Sequence, residues 1–89
     1  MHAVVIQVTI QDFESGRRML EERIVPTVSK APGFVAGYWT RSEDDRGLSM
    51  VVVESEGQAR DLAEMIKSAP PDEGVTLDSI DVREVVAHA

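Results

Sequence analysis

Four side chains in this sequence have the type and placement to touch a small molecule: Gln7, Tyr38, Trp39 and Arg41. A glutamine amide inside an apolar strand can orient a substrate oxygen, or it can satisfy backbone and interface groups. Tyrosine and tryptophan each offer a flat apolar wall with one hydrogen-bonding handle, and the same rings also serve as core or interface packing. Arg41 can take up an anionic group or stand as the solvated end of a hairpin. Met50 and Met65 can line an adaptable cavity or fill gaps in a core. Adjacent strand residues point to opposite sides of a sheet. Tyr38 and Trp39 therefore cannot form a single wall. Alternation predicts Phe34, Ala36, Tyr38 and Thr40 on one face, with Val35, Gly37, Trp39 and Arg41 on the other.

More demanding chemistry has little to stand on. The chain has no cysteine, and its two histidines, His2 and His88, lie at opposite ends of the sequence. They can approach each other if the first and last strands pair, but two ligands are too few for a metal site. The acidic runs at 43–45 and 72–73 lack the alternating ligand spacing of a calcium loop and read as solvated turns. No nucleophile, base and orienting group occur together, and no glycine-rich loop is built to cradle phosphate. We expect no metal and no organic cofactor. What is left is undemanding catalysis: a pocket that favours the anion of an electron-rich phenol and lets it react directly with dioxygen.

The formal net charge of −7, with sixteen acidic and nine scattered basic residues, argues against a nucleic-acid partner. No apolar run approaches the length of a membrane span, so no membrane association is expected. The opening MHAVVIQVTIQD reads as a strand rather than a signal peptide, and a cytoplasmic location is expected. Eighty-nine residues without repeat or linker predict one small domain spanning 1–89.

The elements that must position these residues follow from periodicity. Residues 2–10 alternate Val4, Ile6, Val8 and Ile10 with Ala3, Val5, Gln7 and Thr9, which predicts a strand. Asp12 is placed to cap a helix carrying Phe13, Leu20, Ile24 and Val28 at helical spacing. Pro26 predicts a kink or a separate last turn there. Pro32-Gly33 predicts a type II turn, followed by a strand over 34–41, a polar hairpin loop over 42–47 and a strand over 48–54. Ser55 and Gln58 match a capping box ahead of a helix with Ala59, Leu62, Ala63 and Ile66 as its buried stripe. A loop is expected over 69–74, then a strand over 75–87 with a bulge near Glu84.

The order β-α-β-β-α-β predicts an α+β, ferredoxin-like fold: a four-stranded antiparallel sheet with two helices on one face. The first and third strands are apolar on both sides, whereas an antiparallel sheet with one wet face alternates cleanly. Two helices cover one face only. A second copy is the simplest cover for the other, so a homodimer closed as an α/β barrel is expected.

With that order, Pro32-Gly33-Phe34 opening the second strand and Val53-Glu54-Ser55-Glu56-Gly57-Gln58-Ala59 leading into the second helix, the chain resembles the dimeric α/β-barrel superfamily. Within it, the chain is similar to antibiotic-biosynthesis-monooxygenase domains. The resemblance covers nearly the whole chain. It implies a pocket between the helices and the sheet of each subunit, and an activity drawn from a range that includes cofactor-independent oxygenation of phenols and quinols, haem degradation and lactone isomerisation. Haem-degrading members carry a tryptophan where this chain has Val53 and a histidine near the second helix, where this chain has none; Gln7 stands where they place a polar amide. Two readings follow: cofactor-independent oxygenation of an aromatic or quinol molecule around Gln7, Tyr38, Trp39 and Arg41, or a non-catalytic dimeric module for small-molecule binding or assembly.

Overall fold

The computed structural model describes residues 1–69 and 74–89. Its strands are β1 His2–Ile10, β2 Phe34–Arg41, β3 Arg46–Val53 and β4 Val75–Glu84. They form one antiparallel sheet in the order β2-β3-β1-β4, with the two apolar strands at its centre. The first crossover is a helical rod in three segments, α1 Phe13–Met19, a π-helical turn Leu20–Ile24 and α2 Val25–Ser29; the second is α3 Glu56–Ser68. The architecture is the expected ferredoxin-like α+β fold.

The core lies between the helices and one sheet face. Val4, Ile6, Val51 and Val53 meet Val28 from α2 and Ala59, Leu62 and Ala63 from α3. The caps form as their residue types dictate: Asp12 accepts from the Ser15 N–H, and Ser55 and Gln58 close the reciprocal box at the start of α3. The Pro32-Gly33 turn also forms, with Phe34 N–H donating to the Ala31 carbonyl at 3.1 Å and Gly33 at φ +76°. At Pro26 the helix does not break. The Val25 N–H reaches back to the Leu20 carbonyl, which widens one turn just before the proline ring and its missing donor.

Several boundaries differ from expectation. β3 begins at Arg46 because Asp45 adopts φ 59° and lets Ser42 N–H reach the Arg46 carbonyl at 2.8 Å, closing a shorter loop over 42–45. β4 ends at Glu84, opposite His2, because β1 supplies no further rungs beyond the Val85 N–H bond to the Met1 carbonyl. The bulge expected near Glu84 lies mid-strand instead. Register shifts between Gln7 and Val8, passing over Asp78, whose carboxylate accepts from Thr9 Oγ1 at 2.6 Å. Residues 70–73 of the loop expected over 69–74 lie outside the described residues.

Among the described residues, the second face carries no helix. Three cross-sheet rows run over it: Ala36–Val52–Ala3–Arg83, Tyr38–Met50–Val5–Asp81 and Thr40–Leu48–Gln7–Ser79. Only the β1 residues Ala3 and Val5 are buried here, shielded by their neighbours, while Tyr38 is 64% exposed and Leu48 and Met50 are also open to solvent. We call this the open face.

Candidate functional site

The four candidates are divided between the two sides of the sheet. Gln7 and Tyr38 lie on neighbouring rows of the open face. Trp39 pairs with Ser49 and Arg41 with Gly47, both on the helix side. Trp39 packs against the buried core, and its ring edge occupies the space a Cβ at Gly37 would need, 2.8 Å from Cη2. The question left by alternation is thus answered: tryptophan faces the helices and tyrosine faces away.

The partition of β2 departs from strict alternation at its first residue. Phe34 pairs with Val53 and Ala36 with Val52, so Val35 is left over as a bulge. That extra residue returns Phe34 to the helix side, where it packs on the core with Trp39 instead of sharing a face with Tyr38. The tight turn at Gly33 and the buried partner Val53 set the Phe34 register, and Val35 takes up the mismatch.

Phe13 and Arg41 show a contact that spacing alone does not reveal. Phe13, which shares the helical spacing of Leu20, Ile24 and Val28, is 38% exposed. The Arg41 guanidinium lies 3.7 Å from its ring centroid, a cation–π contact joining the start of α1 to the end of β2. Because the arginine stacks on it, the ring stays at the rim of the core. Arg41 has no carboxylate partner among the described residues.

Among the described residues, grooves lie at both ends of β2. A shallow one of about 370 Å3 lies at the hairpin end of the sheet and is bordered by Gln7, Thr40, Arg41, Arg46, Gly47 and Leu48. A smaller one of about 120 Å3 lies between the Pro32 turn and α3, reaching Leu62 and Met65. Neither runs beneath Trp39. In the first groove Arg46 is paired loosely with Asp44 at 3.5 Å, and both side chains are largely exposed. The Ser42 hydroxyl donates to Asp44 and holds that carboxyl below its ordinary pKa, so Asp44 remains an anion.

Metal-binding side chains do not converge in groups of three or more among the described residues. His2 has a buried Nδ1 without a partner, on the helix side opposite Glu84, at the end of the sheet where the described tail carries His88. No helix of the described residues is long and apolar enough to cross a membrane. Fold and surface together define a small ferredoxin-like α+β protein with one bare sheet face. A comparison with known proteins finds no matching protein-family model and no similar curated protein.

Proposed function

We propose that this chain is a dimeric α/β-barrel domain of the antibiotic-biosynthesis-monooxygenase type, working as a non-catalytic module for assembly or for binding an apolar small molecule. The observation that carries this reading is the open face. Its middle is apolar, with Ala3, Val5, Val52, Met50, Leu48 and the Tyr38 ring, and no helix of the described residues covers it. Asp81, Arg83 and Asp78 form its border on the β4 side. An apolar centre with a polar rim is the anatomy of an interface between copies.

The size fits as well. Four strands spaced ~4.8 Å apart and about eight residues long present a face of roughly 19 by 26 Å. Once side-chain relief is added, that approaches the ~800 Å2 that each partner buries in a standard interface. Sedimentation velocity tests the reading: the chain is expected to run as a dimer at micromolar concentration, and a folded monomer persisting there would overturn it.

A second reading, cofactor-independent oxygenation of an aromatic or quinol molecule, draws on a different observation. α3 packs closely on β1, β3 and β4, whereas the first helical rod approaches the sheet chiefly through α2 against β2. Trp39 faces the helices on this side, and Phe13 with Arg41 stands at the rod's N-terminal end. In this reading a bound phenolate gives its electrons directly to dioxygen. Oxygen consumption with a panel of quinols decides it: uptake that exceeds background and falls on Trp39→Ala supports oxygenation, and none across the panel removes it.

A further inference from the structure

We propose that the groove at the hairpin end of the sheet is a binding site for a small carboxylate with an apolar body, gripped by Arg46 and Gln7 and seated on Leu48. The chain as a whole carries a net charge of −7, yet the groove is bordered by two arginines and by no aspartate or glutamate among the described residues. Arg41 and Arg46 are thus the groove's own charges, set beside the acidic hairpin residues Glu43, Asp44 and Asp45, and they are where an anion would be held.

Three features give the groove a grip. Arg46 and Gln7 both lie on the open face, because Arg46 pairs with Thr9 and Gln7 with Leu48 in the β1–β3 ladder. A guanidinium fork and a carboxamide present donors that match the oxygens of one carboxylate. Leu48, 46% exposed beside Gln7, supplies an apolar seat for the rest of the ligand. Arg41, held on the far side by the Phe13 ring, adds positive charge without spending it on a protein carboxylate among the described residues.

Asp44 is the built-in competitor. It holds Arg46 at 3.5 Å, but both groups are exposed, and solvent screening leaves such a surface pair weak. A ligand carboxylate can replace it. The groove lies at the hairpin end of the open face, off the central Tyr38–Met50–Val5 row, and shares Leu48 with the apolar middle of that face.

Benzoate is the probe, with benzamide as its neutral counterpart, titrated into the full chain and followed by amide and side-chain nitrogen–proton resonances. Benzoate is expected to shift the Gln7 carboxamide and Arg46 Nε signals, and benzamide is not. Arg46→Gln is expected to weaken binding about tenfold, as loss of a charge-assisted pair does. Asp44→Asn should tighten it about twofold to fivefold by releasing Arg46, a gain that misfolding cannot imitate. Equal response to benzamide, shifts spread over the whole surface, or unchanged affinity in both variants overturns the proposal. Sedimentation as a dimer in the same sample leaves the assembly reading standing, so the two ideas fail separately.

Discussion

Gly33 joins the turn before β2 to the cap of α3. At φ +76° it occupies the left-handed region, and a Cβ there would collide with the Gln58 carboxamide. That carboxamide accepts the Ser55 N–H at 3.1 Å, and the Gly33 carbonyl accepts from Glu54 N–H at 3.0 Å. Gly33→Ala therefore combines backbone strain of about 1–2 kcal/mol with damage to a cap worth about 1 kcal/mol. We expect a loss of about 2–3 kcal/mol in urea unfolding at unchanged slope, and a larger loss than Gln58→Ala, which removes the cap partner alone. A loss under about 0.5 kcal/mol would show that the two groups are not coupled. This position was legible in the sequence, since Pro-Gly before a β-rich run specifies a turn by conformational preference alone. Val35 was not. Its bulge arises because Phe34 and Ala36 are held by different constraints, and no local preference of valine announces that.

At the scale of elements, caps and alternation carried most of the fold. Asp12, the Ser55–Gln58 box and the apolar alternation of β1 and β3 state their roles within a few residues of chain. What stayed hidden depends on partners far away in sequence: the end of β4 is set by the start of β1, and Phe13 lies under an arginine from the end of β2. The candidate site was divided for the same reason. Alternation showed that Tyr38 and Trp39 part, but only the packing of Val51 and Val53 under the helices showed which way each ring goes. The start of α1 makes a pH prediction. The Ser15 backbone N–H and then its hydroxyl hold the Asp12 carboxyl below its ordinary value of 3.8. A carboxyl lowered on folding stabilises the fold above its unfolded pKa, and that contribution is lost as pH falls through the folded value. Asp12→Asn keeps a capping acceptor but cannot titrate. The melting-temperature difference between wild type and Asp12→Asn should shrink between about pH 5 and pH 2, and a difference constant over that window would show that the cap does not titrate with folding.

For the whole molecule, the open face has a thermodynamic consequence. If two copies close over it, unfolding separates them, and mass action raises the melting temperature with concentration. At about 0.7 kcal/mol per residue, two chains of 89 residues unfold with an enthalpy of about 125 kcal/mol. The van't Hoff relation for a dimer going to two unfolded chains then gives a rise of about 4 °C per tenfold increase in protein. Met50 is the position to change. It lies between Tyr38 and Val5 in the central row and is 39% exposed, so a charge there is solvated in the single chain and desolvated in the pair. Met50→Glu should sediment as a monomer and melt at a temperature that does not move with concentration. Wild type should show the slope across about 1 to 100 μM, a range centred on concentrations at which standard-size interfaces commonly form. A flat wild-type response, identical to that of Met50→Glu, would mean that the open face stays bare and that the chain carries its apolar surface for a partner other than itself.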